Sequence, residues 1–346
     1  MALDLDPRRH ARALAVLAAG GVVAAGLALQ RAHMKRLAGD PDWLRLSDFR
    51  HGLALPVHSA DGTRIHAEVF GPDEAATVVL APGWTEQLSI WTSVIAALRA
   101  RDLRIVAYDL RGHGGSGPAA GDDYSLQRFG EDVEAVLRAA LPDGRRAIVV
   151  GHSLGGMAIA AWAERHNVRE HACGAALVNT GFSDLIADSL VLPQLTRVFG
   201  EPVVRRLFLG SGARLPSFSS PLQHGAVRYL AFGPSATAGQ VAFYEQMLIA
   251  CPPHVRAACG LAISDMNLQD AVARLTVPTL VIAGDQDRLT PPSHARRIAR
   301  ALPQLERLIE LPETGHMSLL ERPVELGEAL ADFIAKVAPD SRLSAA

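Results

Sequence analysis

Residues 147–156 read AIVVGHSLGG, and this order restricts the fold more than any other part of the chain. The four apolar residues are typical of a buried strand, and the residues from Leu154 onward predict a helix. Between them lies Gly-x-Ser-x-Gly, the spacing of a nucleophile elbow. Glycine is needed at Gly151 and Gly155 because neighbouring chain approaches this strained turn closely. The sequence therefore predicts that Ser153 presents its hydroxyl above the edge of a sheet.

Strands and helices alternate on both sides of this elbow. The predicted buried strands are Thr77–Ala81, Arg104–Tyr108, Ala147–Val150, Gly174–Val178, Thr279–Ala283 and Leu305–Leu311, with helices near Ser89–Ala100, Leu126–Ala140, Leu154–His166, Pro292–Ala301 and Pro323–Val337. Two earlier segments, Leu53–His58 and Arg64–Phe70, flank Asp61-Gly62, a dipeptide that favours a tight hairpin turn. The alternation predicts right-handed crossovers and an α/β fold with a mainly parallel sheet.

The alternation stops between about Gly181 and Gly260, a region with seven prolines. We interpret it as a helical cap over residues 182–260, inserted between two parts of the core, residues 39–181 and 261–346. Apolar residues of this region form either an acyl-binding surface or the cap's own small core. They are Leu190, Val191, Leu192, Phe199, Leu207, Phe208, Phe218, Phe243 and Met247.

The composition excludes several classes of protein. The chain has 346 residues, of which 49% are apolar and 20% charged, with a net charge of -2. These values are typical of a folded globular protein and not of a nucleic-acid-binding one. Three cysteines are too few for a zinc cluster, although a Cys251–Cys259 disulfide is compatible with a location outside the cytoplasm. We find no metal, nucleotide or flavin motif and therefore expect no cofactor.

A serine hydroxyl is a weak nucleophile, so it needs a base within hydrogen-bond reach and a carboxylate that orients the base. His316 follows the strand Leu305–Leu311, and Asp285 and Asp287 follow the strand before it. All three side chains would emerge at the carboxyl ends of parallel strands, where Ser153 also lies. We predict His316 as the base and Asp287 as the acid, with Asp285 as the main alternative. The Gly-x-x-Asp spacing favours Asp287 because the turn can aim its side chain toward the site.

Other polar residues near the strand ends are weaker candidates. Asp109 and Asp184 each follow a predicted strand. Asp109 is expected to stabilise the turn that comes after it, since aspartate commonly caps such loops. His113 and His152 are interpreted as structural.

The oxyanion that forms in acyl transfer needs two hydrogen-bond donors. One is expected from the backbone N–H of Leu154, the residue after the nucleophile. The second is expected after the strand Thr77–Ala81, where Pro82-Gly83 lets the backbone turn inward so that the N–H of Trp84 faces the site. A simple Pro-Gly turn without this role is the alternative.

Five segments together resemble the α/β-hydrolase superfamily. They are Pro82-Gly83-Trp84, DLRGHGGS at Asp109–Ser116, GHSLGG at Gly151–Gly156, Gly284-Asp285-Gln286-Asp287 and Gly315-His316, and the resemblance extends over about Leu53–Val337. It implies an eight-stranded, mostly parallel sheet with a cap over the site. This chain has Pro82-Gly83 where the family usually has His-Gly. Related epoxide hydrolases and haloalkane dehalogenases carry aspartate at the elbow, so Ser153 argues against those reactions.

These residues predict a serine hydrolase that forms an acyl-enzyme from an apolar carboxylic ester. Similar triads also support acyl transfer to other acceptors, perhydrolysis and hydrolysis of carbon-carbon bonds. A non-enzymatic ligand-binding or membrane scaffold is a further alternative, although none of the three triad residues is missing. The fold alone does not settle the substrate.

Residues 1–38 are predicted to form an N-terminal tail. Residues 13–29 carry no charged or strongly polar side chain, and basic residues flank both ends. This length is at the lower limit of the roughly 17 to 25 residues that a membrane-spanning helix needs, so we predict a single-pass membrane anchor. A signal peptide, with Gly26 and Ala28 at its cleavage site, and a soluble helix are the alternatives. The residues from Gln30 to the first strand are expected to act as a tether.

Overall fold

The computed structural model describes residues 24–142, 144–189 and 192–338. Within these residues, eight strands form one sheet in the order β1-β2-β4-β3-β5-β6-β7-β8. The strands are β1 (Leu53–His58), β2 (Arg64–Phe70), β3 (Thr77–Ala81), β4 (Arg104–Tyr108), β5 (Ala147–His152), β6 (Ala172–Val178), β7 (Thr279–Gly284) and β8 (Leu305–Leu311). The pairs β1-β2 and β2-β4 are antiparallel and the remaining pairs are parallel. The predicted α/β fold with a mostly parallel sheet is confirmed.

Helices cover both faces of the sheet. They are α1 (residues 24–38), α2 (Pro41–Ser47), α3 (Thr92–Arg99), α4 (Leu126–Ala140), α5 (Leu154–Arg165), α6 (Val168–His171), α7 (Leu185–Asp188), α8 (Leu192–Phe199), α9 (Glu201–Val204), α10 (Pro221–Ala231), α11 (Ala238–Ala250), α12 (Pro253–Ser264), α13 (Pro292–Ala301), α14 (Ser318–Glu321) and α15 (Pro323–Val337). Helices α4, α5 and α13 pack on one face, and α3, α14 and α15 on the other. Strands β3, β4, β5 and β7 are buried along their whole length, as expected when helices cover both faces.

Helices α7 to α12 form the insertion between β6 and β7. The predicted boundary of this cap at Gly260 lies within α12, which continues to Ser264. Gly260 does not terminate the helix. It allows close packing on the neighbouring segment, since a Cβ atom there would lie 2.1 Å from the carbonyl oxygen of Leu209. The glycine is therefore a contact point within the cap.

The segment before the first strand differs from the expected tether. Helix α1 packs on the cap through Leu37, which is 5% exposed and contacts Ala238 and Ala242 of α11. The side chain of Gln30 donates a hydrogen bond of 2.6 Å to the backbone carbonyl of Ser219. Burial of an apolar side chain on the cap fixes this segment as part of the folded unit.

Most of the predicted membrane anchor, residues 13–29, lies outside the described residues, which begin at residue 24. In the part of the chain that the structure describes, no single helix is long and apolar enough to cross a bilayer. Helices α11 and α12 reach the length and apolar composition of a membrane span only when they are taken together, and the chain bends by 102° between them.

The three cysteine thiols are free. The disulfide considered between Cys251 and Cys259 is therefore absent from the structure, and both side chains are buried. Burial raises the pKa of the Cys251 thiol to about 12, so this thiol is protonated and unreactive at neutral pH.

Candidate active site

Ser153 lies in the turn between β5 and α5 with a strained backbone, at φ 49° and ψ -116°. Its N–H donates a 3.0 Å hydrogen bond to the carbonyl of Val178, which holds the turn against β6. Gly155 permits this geometry, because a Cβ atom there would lie 2.2 Å from the carbonyl oxygen of Ala81. A Cβ atom on Gly151 would lie 2.5 Å from the carbonyl carbon of Gly155. The local geometry is that of a nucleophile elbow.

His316 and Asp287 meet at the carboxyl ends of β8 and β7. The distance from His316 Nδ1 to Asp287 Oδ2 is 2.8 Å, and the carboxylate is fully buried. The backbone N–H groups of Leu289 and Thr290 each donate to Asp287 Oδ1 at 2.9 Å, and Asn179 donates to Oδ2 at 3.0 Å. Because an ionised carboxylate only accepts hydrogen bonds, His316 Nδ1 carries a proton, which leaves Nε2 available as a base.

These contacts keep Asp287 ionised. Burial alone would raise the pKa of its carboxyl group. The neighbouring His316 ring and the hydrogen bonds from His316, Asn179 and Thr290 lower that pKa by a larger amount than burial raises it. The pKa of Asp287 therefore lies below the ordinary aspartate value.

We expect the substitution Asp287→Asn to destabilise the protein near neutral pH, and we expect this loss to disappear in acid. A carboxyl whose pKa is lower in the folded state contributes stability above its unfolded pKa of about 3.9. That stability is lost as the pH falls through the folded pKa. Thermal unfolding of both proteins over a pH series would measure the difference. A difference that stays constant into acid would contradict the prediction.

The other predicted acids do not contact His316. Asp285 is exposed, and its carboxylate accepts a 3.2 Å hydrogen bond from the N–H of Thr314. Asp109 accepts hydrogen bonds from the N–H groups of Leu88 and Gly115, as a residue that stabilises turns does. Asp184 begins α7 and lies near Arg297.

Ser153 and His316 line one cavity of about 90 Å³ between the sheet edge and the cap. The Ser153 hydroxyl is not hydrogen-bonded to the His316 ring in this structure. Such bonds are often long without substrate and tighten when it binds. The apolar part of the lining comes from Met157, Leu185, Ile186, Leu209, Ile263 and Leu289.

Five of the nine apolar cap residues considered as an acyl-binding surface or as the cap's own core do not line this cavity. Phe199, Leu207 and Phe218 are more than half exposed, and Phe243 and Met247 are buried in the core. Leu190 and Val191, with the side chains of Leu192 and Phe208, lie outside the described part. The cap instead lines the cavity through Leu185, Ile186, Leu209 and Ile263. Composition cannot show which face of a cap helix points to the site, because that depends on packing.

The backbone N–H groups of the loop after β3 differ in their hydrogen-bond partners. The N–H of Gly83 donates to Glu86 at 2.5 Å, and the N–H of Thr85 donates to His113 Nε2 at 3.2 Å. The backbone of Thr85 has a positive φ of 65°, so the chain turns at this residue. Among the described residues nothing accepts the backbone N–H of Trp84, a residue that lines the cavity.

The backbone N–H of Leu154 is the first of α5 and likewise has no acceptor among the described residues. The first N–H groups of a helix have no acceptor within the helix, and they form the positive end of the helix dipole. Leu154 follows Ser153 directly in the chain, and Trp84 lines the same cavity as Ser153. The described residues contain no group of three or more histidine, cysteine, aspartate or glutamate side chains that could hold a metal ion.

Sequence reasoning missed three polar residues of the site. Asn179 follows β6 directly and donates both to Asp287 and to the carbonyl of Gly315. Its position at the carboxyl end of a parallel strand was a usable signal. Thr290, which donates to Asp287 Oδ2 at 2.8 Å, and the buried Glu86 gave no pattern in the sequence.

Comparison with known proteins agrees with the observed fold. Residues 76–323 match the family model described as alpha/beta hydrolase fold. A non-heme chloroperoxidase of Streptomyces lividans is 29% identical over 293 residues, which are 80% of this chain and 98% of that protein. The bifunctional esterase/perhydrolase DCH of Acinetobacter calcoaceticus is 23% identical, over 75% of this chain and 92% of its own. The crystal structure of the esterase RhEst1 from Rhodococcus sp. ECU1013 has a TM-score of 0.63 at 25% identity, covering 83% of this chain and 100% of that one.

Proposed function

The chain belongs to the alpha/beta hydrolase fold family, and from this premise we propose that it is a serine hydrolase that cleaves a carboxylic ester with a short apolar acyl group. One observation carries the proposal. His316, which is paired with the buried Asp287, lines one cavity with Ser153, and Ser153 lies on a strained elbow. The backbone N–H groups of Trp84 and Leu154 have no acceptor among the described residues.

The proposed reaction has two halves. Ser153 Oγ attacks the ester carbonyl while His316 Nε2 takes its proton, and Asp287 stabilises the resulting imidazolium. The N–H groups of Trp84 and Leu154 donate to the oxyanion. The oxyanion collapses, the alkoxide takes the proton from His316 and leaves as the alcohol. Water, deprotonated by His316, then attacks the acyl-enzyme, and the acid and free Ser153 are released.

The cavity supports an apolar acyl group. The carboxylate that lines the cavity belongs to Glu86, and it lies 2.9 Å from the ring of His152, with which it is paired. An ionised acyl group would have to be buried without a partner, which is costly. A volume of about 90 Å³ accommodates several water-sized groups, which is enough for a short acyl group.

We expect kcat/KM on p-nitrophenyl esters to be greatest for acyl groups of about two to four carbons, since overfilling a packed site costs roughly 1 to 3 kcal/mol. Esters of decanoate or longer acids should then be at least about tenfold poorer. Initial rates over a series of chain lengths would measure this, with Ser153→Ala protein as the background control. A rate that rises steadily to decanoate would contradict the size argument.

Perhydrolysis is a second candidate, favoured by the similarity to the esterase/perhydrolase DCH. The same acyl-enzyme would be attacked by hydrogen peroxide in place of water and give a peracid. Partition between acid and peracid at a fixed peroxide concentration separates the two functions.

We also propose that the apolar segment at residues 13–29 anchors the enzyme to a membrane. Because α1 packs on the cap, a truncation should end before residue 24. We expect deletion of residues 1–23 to release soluble protein with nearly unchanged kcat, and the full chain to remain with membranes in high salt and carbonate. Salt removes attachments that depend on surface charge alone. A full chain found soluble and intact would refute the anchor, and one that begins near Leu29 would identify a signal peptide.

A further inference from the structure

Glu86 is a buried carboxylate beside the candidate oxyanion donors. Its side chain is 2% exposed and borders the cavity that Ser153 and His316 line. One of its oxygens accepts the 2.5 Å hydrogen bond from the N–H of Gly83. The carboxylate also lies 2.9 Å from His152 Nδ1. Glu86 therefore joins the loop after β3 to the residue immediately before Ser153.

His152 extends this connection to the segment that carries the base. Its Nε2 lies 2.9 Å from the backbone carbonyl oxygen of His316. When Glu86 is ionised, its carboxylate and the carbonyl are both acceptors, so both ring nitrogens of His152 donate and the ring is an imidazolium. The pKa of His152 is raised accordingly, because the attraction of Glu86 outweighs the desolvation that would lower it.

We propose that Glu86 is a positioning residue, an inference that rests on the proposed hydrolase function. Together with His152, Glu86 holds three segments in place relative to one another: the loop after β3, the elbow and the segment that carries His316. By occupying the N–H of Gly83, Glu86 sets the loop so that the N–H of Trp84 points to the site. Its negative charge also balances the His152 imidazolium, whose ring centroid is 5.0 Å from that of His316. This balance matters because His316 must itself become positively charged during catalysis.

Two substitutions of Glu86 separate positioning from simple stability. Glu86→Ala removes the acceptor of Gly83 N–H, and we expect kcat to fall about 10²- to 10³-fold, as when one oxyanion donor is lost, with KM nearly unchanged. Glu86→Gln should restore most of the activity, since its amide oxygen accepts from Gly83 and its amide N–H₂ donates to a neutral His152.

Glu134 is a matched control. It is also a buried carboxylate, on α4, and it accepts a 2.7 Å hydrogen bond from the indole of Trp162 away from the cavity. Glu134→Ala should lower the Tm and leave kcat unchanged. If the alanine variant of Glu86 does not fold, Glu86→Asp keeps the charge but shortens the side chain, and its kcat should still fall about tenfold or more.

Steady-state kinetics and thermal unfolding of these variants decide the proposal. Loss of kcat in Glu86→Ala with recovery in Glu86→Gln would support it. Wild-type kcat in the folded alanine or aspartate variant would overturn it, and so would an equal loss in the glutamine variant. A wild-type protein that hydrolyses no ester would instead overturn the proposed function itself.

Discussion

Replacing Ser153 with alanine is expected to lower kcat on a short-chain p-nitrophenyl ester by about 10⁴- to 10⁶-fold. The substitution removes the oxygen that would form the acyl-enzyme and leaves the rest of the site in place. Trp84 and Leu154 would still donate to an oxyanion, so a small residual rate above the uncatalysed reaction should remain. The loss should appear in kcat and not in the Tm.

Steady-state assays at matched protein concentration would measure this loss, with unfolding curves to verify the fold. Ser93→Ala is a suitable control, since Ser93 lies on α3 and its hydroxyl accepts a hydrogen bond from Arg45 on the protein surface. That variant should keep the wild-type kcat. An alanine variant of Ser153 that keeps most of its ester hydrolysis would exclude a mechanism based on this serine.

The second large effect concerns the acid. Asp287→Asn is expected to lower kcat about 10³- to 10⁴-fold, because the amide cannot stabilise the His316 imidazolium and favours the wrong tautomer of the ring. The loss follows from the 2.8 Å contact between His316 Nδ1 and Asp287 Oδ2, which no other described carboxylate replaces.

Asp285→Asn provides the comparison within the same turn. Asp285 is exposed, and among the described residues its carboxylate is hydrogen-bonded only to the N–H of Thr314. Its substitution should therefore change kcat by less than about tenfold. The ratio of the two kcat values under identical conditions is the measurement. The reverse ranking would assign the role of the acid to Asp285.

The strands and the order of the site residues could be predicted from the sequence because each has a local signal. Buried strands such as β4 and β7 contain continuous apolar runs, and the turn after β5 needs glycine on both sides of Ser153. Parallel strands place their carboxyl ends at one edge of the sheet. The alternation alone therefore brings residues far apart in the chain to one place.

The features that could not be predicted from the sequence depend on packing between segments that are distant in the chain. Gly260 resembles a helix end, but its role is set by Leu209, a residue of the facing cap segment. The residues from Gln30 to the first strand resemble a tether until the surface of α11 is known. The pair of Glu86 and His152 joins residues 66 positions apart, and a buried ion pair of this kind leaves no periodic pattern in the sequence.

A fluorophosphonate offers the most direct test of the central claim, that Ser153 is the nucleophile. Its phosphorus is attacked by an activated serine oxygen, fluoride leaves, and a stable ester remains. Mass spectrometry of the digested protein should find one phosphonyl adduct on the peptide that contains Ser153. The adduct should be absent from Ser153→Ala and from heat-denatured protein. An active wild-type enzyme without an adduct, or with its inactivating adduct on another residue, would contradict the account.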